Sequence, residues 1–402
     1  MITKICSLGK VLSCKRALFF FLVTIWMVLG GVSYSRALEL EFGPSVEARS
    51  EYNDNIRLTT AAAHDPVWMY TIIPRLRING VGESRELRGD FRYEPRRYSG
   101  GGDLDSDNFF TNLKGVVKTE FDEWLLGVDY SRDSTIQSEF LDTGISDVSK
   151  VRKQKGVNPS WKRVLSDFST LEVGYNYTGV VYQDGIALGL YDYEINTFSM
   201  TVSHLLGEFD YLILNLYYTA YDAPFVKSMY GDKGFMLSFS HVYSDYYRFD
   251  LSGGVRRTKF DNLLSENESS SGFIGKVNVT RKREVSSVQV SMERRIDPSG
   301  SGTLMQRDSL ELRVTSRFSS TVNGALSLGV FRNISLERNF TRFDRTYYFV
   351  TPYMAWRLAR EWSARLYYRY RYNKYDVASN EAQANVAGII VQYQWPSPAA
   401  RN

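Results

Sequence analysis

The sequence predicts an all-β protein, a single transmembrane antiparallel β-barrel of about 18 strands that follows a cleaved leader. Three observations carry that prediction. From Leu38 onward apolar and polar residues alternate with a period of two, which gives each segment one greasy and one polar face. The connections between segments alternate between long and tight, the pattern of transmembrane β-barrels. Beyond the N-terminus no stretch approaches the ~18 apolar residues of a spanning helix, and mean hydropathy is only -0.30. Within 402 residues, 28 Tyr and 23 Phe stand against 10 Pro and 30 Gly. That composition favours strands over disordered or collagen-like chains.

The first element is the leader. Lys4, Lys10, Lys15 and Arg16 precede the apolar run Ala17 to Gly31, and Ser35-Arg36-Ala37 offers small residues at the -3 and -1 positions of a cut. Residues 1–37 therefore read as a signal peptide, residues 38–395 as an outer-membrane barrel and 396–402 as a short tail. Cleavage removes both cysteines, Cys6 and Cys14. It also leaves 44 basic against 45 acidic residues, a formal charge of -1. The exported chain thus has no basic surface for nucleic acid.

Eighteen segments follow, at 38–53, 67–79, 85–98, 107–119, 124–137, 152–164, 168–183, 191–204, 209–222, 229–243, 247–260, 271–281, 285–297, 304–317, 321–335, 343–357, 361–375 and 383–395; sixteen strands is the second choice. In the first, Leu40, Phe42, Val46, Ala48 and Tyr52 share one parity, and Glu39, Glu41, Glu47, Arg49 and Glu51 the other. Long connections (Asn53–Pro66, Tyr98–Ser106, Ser138–Val151, Asp261–Ser270) alternate with tight ones (Gly80–Ser84, Glu120–Glu123, Arg281–Glu284, Leu358–Arg360). Trp124, Trp161, Trp356, Trp362 and Trp395 fall near tight turns or the last strand end, where amphipathic rings suit a periplasmic lipid interface. Trp68 lies at the other rim. Pro44, Pro74, Pro95, Pro159 and Pro352 sit inside strands on the apolar parity, so bulges or weakened hydrogen bonding are expected there. At the chain end Gly388, Val391, Tyr393 and Trp395 form an alternating strand like those read by outer-membrane assembly machinery, though no terminal Phe follows.

Chemistry narrows by inventory. His64, His204 and His241 are not spaced for a metal, and the exported chain has no Cys for a zinc set. No catalytic residue, cofactor or metal is expected. The polar parity instead carries Arg75, Arg77, Arg88, Arg92, Arg96, Arg256, Arg313, Arg365, Arg369 and Arg371, interleaved with fewer carboxylates such as Glu47, Glu51, Asp90 and Glu94. The long loops are acidic, with Asp103, Asp105, Asp107, Glu139, Asp142, Asp147, Asp261, Glu266 and Glu268. An arginine-lined lumen behind an acidic mouth would attract anions or acidic sugars, because guanidinium forks match carboxylates. The same arginines could equally form structural ladders with Glu and Asp. Inward Tyr217, Tyr221 and Tyr367 could stack sugar rings or simply fill space. No connection exceeds about 15 residues, so an inward loop narrowing the lumen is not expected.

The mature start reads FGPSVEARSEYNDNIRLTT, HDPVWMYTIIPRLRI and FRYEPRRYSGGGDLDSDNF. A Pro-containing first strand leads to the turn Tyr52-Asn53-Asp54-Asn55, then come a second strand with Pro74 and a Tyr-rich strand before an acidic loop. Over 38–110 this resembles the outer-membrane β-barrel porins found with exopolysaccharide and exosortase (PEP-CTERM) systems. The resemblance implies a channel for export of extracellular polysaccharide in the Gram-negative outer membrane, working with periplasmic polysaccharide-secretion components. Its partners would be outer-membrane lipid, the barrel assembly machinery and an acidic polysaccharide. Two rivals stand beside it: a general or anion-selective diffusion porin, and an anchoring barrel whose acidic loops bind cations, lipopolysaccharide or surface polymers.

Overall fold

Each alternating run becomes one strand. A computed structural model describes residues 38–396 except 61–63, 65, 101, 143–148, 262–267, 337–343 and 377–380. The leader, most of the tail and the loop acids Asp147 and Glu266 lie outside the described residues. The strands are β1 Glu39–Asn53, β2 Val67–Val81, β3 Arg85–Ser99, β4 Ser106–Lys118, β5 Asp122–Ser134, β6 Val151–Ser166, β7 Ser169–Tyr182, β8 Tyr193–Gly207 and β9 Asp210–Ala223. They continue as β10 Ser228–Ser244, β11 Tyr247–Asp261, β12 Ser269–Lys282, β13 Ser286–Pro298, β14 Leu304–Arg317, β15 Val322–Ser335, β16 Arg345–Arg357, β17 Trp362–Tyr375 and β18 Glu381–Gln394. Every strand pairs antiparallel with its sequence neighbours, and β1 pairs with β18, so 18 strands close into a barrel.

Closure decides which parity faces in. The outer face carries Phe42, Ile72, Phe198, Leu216, Phe235, Leu251 and Leu366, all exposed, as a membrane-facing wall must. The prolines all stand on this outer parity. The ladder lapses beside them without losing register: β2–β3 skips from Tyr70↔Arg97 to Arg75↔Arg92 around Pro74 and Pro95. It likewise skips at Pro159 between β6 and β7 and at Pro352 between β16 and β17. Weakened bonding is therefore the answer there, and bulges are not. A proline that removes one N–H interrupts the ladder locally, while the side-chain pattern on both sides holds the register.

One element departs from the sequence expectation. The strand assigned to 124–137 ends at Ser134, and a helix, α1 (Thr135–Asp142), follows. TIQSEFLD has no Gly or Pro to oppose a helix. Its start is tied to β6, because Thr135 N–H donates to Lys150 O (2.8 Å) and Lys150 N–H donates to Thr135 Oγ1 (3.0 Å).

The buried core sits inside the barrel, in its long-loop half. Val180, Tyr182, Leu190, Tyr193, Tyr221, Tyr230, Phe260 and Leu304 form one cluster, and Leu58, Phe331, Tyr347, Ala382 and Ala384 a second. Both include residues from connections, Leu190 and Leu58, so loops fold inward to cover lumen-facing side chains.

The Tyr52-Asn53-Asp54-Asn55 turn closes the barrel. Asp54 Oδ1 and Oδ2 accept from the Asn385 backbone N–H and Nδ2 at 2.7 Å each. Asn55 Nδ2 donates to Gln383 O (2.9 Å) and to Thr59 O (3.0 Å), while its Oδ1 accepts from Thr59 N–H (3.0 Å). Asn55 is 2% exposed, so no water can replace these partners. Asn55→Ala is expected to destabilise the barrel by about 2–3 kcal/mol through buried groups left unpaired. The denaturant midpoint of the heat-modifiable folded band measures it, and an unchanged midpoint would refute the clasp.

Candidate functional site

The inward arginines concentrate on one arc. Arg365, Arg369 and Arg371 on β17, Arg49 on β1, Arg75 and Arg77 on β2, and Arg88, Arg92 and Arg96 on β3 share the inner parity. Their strands adjoin in the order β17–β18–β1–β2–β3. Towards the tight-turn rim they are neutralised. Arg75 forks Asp90 (Nε to Oδ2, 2.9 Å) with Arg77 at 3.7 Å, and Arg88 lies 3.3 Å from Glu86. Glu94, only 3% exposed, gathers Arg96 (2.7 Å), Arg92 (3.7 Å) and Arg49 (3.8 Å).

Higher up, the balance tips. A cavity of about 460 Å³ opens between β1, β3, β16, β17 and α1, and Arg49, Arg96, Arg365, Arg369 and Arg371 all line it. Among the described residues, Arg365, Arg369 and Arg371 form no salt bridge. Arg365 stacks on Tyr353 (5.0 Å) and Arg369 on Tyr367 (5.9 Å). Arg371 makes only 3.5 Å contacts to Asn53 Oδ1 and Asn55 O, and its buried Nε has no partner. The one carboxylate lining the cavity, Glu51, accepts from the Tyr367 hydroxyl. Arg369 and Arg371 are half-buried and Arg365 is exposed, and a guanidinium withdrawn from water without a counter-charge is costly. Three such groups beside aromatic faces suit an anion with a planar or ring body.

Helix α1 roofs this cavity with Ile136 and Gln137. It crosses to the other wall, where Glu139, 1% exposed, takes the Tyr182 hydroxyl at 2.6 Å and Arg152 Nε at 3.0 Å. Beside it Tyr182, Tyr193, Tyr221, Tyr230 and Phe260 form a row of rings on adjacent strands β7–β11, with centroids 5.2–6.4 Å apart. The β13–β14 connection lies over this row. Tyr221 OH donates to Ser299 O (3.1 Å), and Tyr230 OH donates to Gly302 O (2.5 Å).

These contacts correct two expectations and favour one of the two readings of Tyr221. The lumen is narrowed by inward segments, because covering apolar inner positions with a loop removes them from water. Glu139 belongs to the interior and not to an acidic mouth. Tyr221, 3% exposed, anchors a loop and has no free face for a sugar. Arg256 must also leave the proposed path. It is 4% exposed, bonded to Thr258 and 3.6 Å from Asp232 on the far wall. Arg313 keeps the inner parity on β14, remote from the cavity. Asp107 lies on the outer face of β4, 2.7 Å from Arg97.

The remaining marked residues take the following places. Trp124 and Trp161 meet across β5–β6 (5.9 Å), Trp362 and Trp395 flank Tyr393 (4.9 and 4.8 Å), and Trp356 opposes Val322. All lie outward at the tight-turn rim, and Trp68 packs on Tyr52 at the other (5.3 Å). Val391 and Tyr393 also face out. Gly388 faces in, where a Cβ would stand 2.4 Å from the Tyr367 ring, so this glycine lets Tyr367 reach Glu51. His204 contacts Ser169 Oγ (2.8 Å) and His241 contacts Asp210 (2.6 Å), both on the outer face. Among the described residues no cluster of three metal-ligating side chains occurs.

No protein-family model and no curated protein matches the chain. Solved structures do. Pseudomonas aeruginosa OccK2 (OpdF) superposes with a TM-score of 0.51 at 13% identity, covering 89% of this chain and 98% of that one. The same protein in complex with glucuronate gives 0.52 at 12%, over 90% and 98%. Pseudomonas aeruginosa OpdK with vanillate gives 0.51 at 10%, over 89% and 98%. At such identities the likeness is one of fold: a closed 18-stranded antiparallel barrel of the outer-membrane porin type.

Proposed function

We propose that the protein is an outer-membrane porin selective for small organic anions, carboxylates foremost. The observation that carries this reading is the cavity under α1, where Arg365, Arg369 and Arg371 stand beside Arg49 and Arg96 without carboxylate partners among the described residues. A ring of fixed positive charge at a narrowing sets selectivity, and the forks orient a carboxylate. Glucuronate and vanillate, held by structural neighbours, are both carboxylates with a ring body. The tyrosines beside the arginines suit such a body. Short turns face the periplasm in barrels of this type, so the arginine cavity opens under α1 on the extracellular side and reaches down past mid-strand to Arg365. Polysaccharide export, which the resemblance of the N-terminal quarter implied, fits less well, since a polymer would have to pass α1 and the β13–β14 connection.

The test is reversal potential in a KCl gradient across planar bilayers, repeated with sodium glucuronate added. Preference for chloride with current reduced by glucuronate supports the reading. Cation preference, or indifference to glucuronate, overturns it.

A further inference from the structure

The ladder between β12 and β13 stops short. Gly275↔Arg294 is its last pair towards the long-loop rim, although β12 begins at Ser269 and β13 runs on to Pro298. On their other sides both strands stay paired, β11–β12 to Lys259↔Ser269 and β13–β14 to Pro298↔Leu304. The wall therefore has a seam along Arg295–Pro298, about 13 Å long at about 3.3 Å per residue.

The cause is visible inside. The tip of the β13–β14 hairpin is drawn into the lumen, past β11 and β12, to partners on β9, β10 and the β7–β8 connection. These are Tyr221 OH to Ser299 O, Tyr230 OH and Ser228 Oγ to Gly302 O, and Tyr191 N–H to Gly300 O (2.7 Å). Ile296 and Leu304, outward by register, pack into the interior cluster instead. Pro298 removes one N–H from the exposed edge.

A single cavity of about 260 Å³ runs along this seam. Tyr217 and Thr219 line it from inside the barrel, and Arg294, whose guanidinium forks Asp308 on the outer face (2.6 and 2.7 Å), lines it from outside. One cavity is thus bounded by both inner-parity and outer-parity residues at the seam. Its sides are apolar, with Met236, Ile274, Ile296 and Leu304, and its inner end carries Lys276 and Arg295. In a membrane-spanning wall, unpaired backbone is tolerated where it lines such a cavity.

Two strands away, Lys233 and Arg257 oppose each other on the outer face, with Lys259 above them. Among the described residues none of the three has a carboxylate partner. Facing like charges repel, and an anionic group at the membrane surface relieves that repulsion.

We propose that the seam is a lateral portal, through which an amphiphilic carboxylate with an alkyl or aryl body passes between the outer leaflet and the lumen. This rests on the reading that the lumen conducts organic anions. Phe273→Cys and Ile296→Cys, which the Gly275↔Arg294 register carried on across the seam brings opposite each other, let it be sewn shut. Cys6 and Cys14, the chain's only cysteines, are replaced by serine, and the protein is purified from the membranes of the expressing cell. The thiols are bridged after folding with a short reducible bis-thiosulfonate, and the protein in lipid is photolabelled with a diazirine-bearing dodecanoic acid. Labelling of the peptides around Tyr217 and Ile296 is expected to fall about tenfold on bridging, as when an entry route is removed, and to return on reduction. Chloride conductance and glucuronate block, read on the same samples, should stay unchanged. Equal labelling in bridged and reduced protein, or labelling confined to the outer face, would overturn the portal. Loss of anion preference in the unbridged protein would instead count against the channel reading.

Discussion

Replacing Arg365, Arg369 and Arg371 together with glutamine is expected to remove most of the anion preference and to weaken glucuronate block by about tenfold to a hundredfold. The magnitude follows from charge and distance. A guanidinium about 4 Å from a carboxylate contributes on the order of 1 kcal/mol in water and up to about 4 kcal/mol near protein, and each 1.4 kcal/mol is a factor of ten. Three such groups, offset by Glu51 and by the carboxylate's lost hydration, leave a net of about 1.5–3 kcal/mol. The barrel should fold normally, because none of the three closes a salt bridge to another strand among the described residues. The lysine triple variant separates charge from shape. It should keep the reversal potential yet lose part of the block, since an ammonium does not reproduce the two-pronged fork. Arg313→Gln, on the inner parity but outside the cavity, serves as the control and should change neither quantity. If Arg313→Gln moves the reversal potential as far as the triple variant does, the lumen works as a diffuse field and the cavity is not the filter.

The strands were legible because a membrane-spanning barrel writes its geometry into a period of two. Phe42, Leu87, Trp124 and Leu366 had to alternate with charge if one face met lipid and the other water. The prolines were legible for the same reason, since their parity was readable and a residue without an N–H must weaken the ladder beside it, although the choice between a bulge and a lapse was not. The interior of the long-loop half was not legible. Strand β5 alternates cleanly through Trp124, Leu126, Val128 and Tyr130, and nothing in TIQ announces that the chain turns into a helix at Thr135. That Glu139 lies inside depends on Arg152 of β6 and on Tyr182 of β7, partners that adjoin only in the folded barrel. A signal was present nonetheless. At the long-loop ends the inner parity turns apolar, as in Val67, Met69 and Ile73 on β2, Val180 and Tyr182 on β7, and Ala382, Ala384 and Val386 on β18. A water-filled lumen has no use for such a face, so something must pack on it. Parity alone does not separate Arg49, which lines the cavity, from Arg256, which shares the inner parity and is buried against the far wall.

Glu139→Ala is expected to release α1 from the wall and open the lumen. The carboxylate is nearly fully buried, and its neighbours Arg152 and Tyr182 would lose it at once; Asp133 remains 3.9 Å from Arg152 and compensates only in part. Stranding a buried partner costs about 3–5 kcal/mol. An eight-residue helix has little intrinsic stability to set against that, because segments shorter than about 12–15 residues are marginal in water. The docked state should therefore lose a factor of more than about a hundred in its equilibrium. Thr135 stays bonded to Lys150 at the end of the β5–β6 ladder, so the helix should swing from that point while the barrel keeps its denaturant midpoint. Single-channel recordings should show a larger, noisier open level. Glucuronate block should weaken as well, because Ile136 and Gln137 no longer roof the arginines. Tyr182→Phe removes one hydrogen bond and leaves the ion pair, so it should produce the same change at smaller amplitude. A conductance in Glu139→Ala equal to that of the unmodified channel would mean that α1 stays in place without its anchor, and that the arginines of β17, not the helix, define the narrowest point.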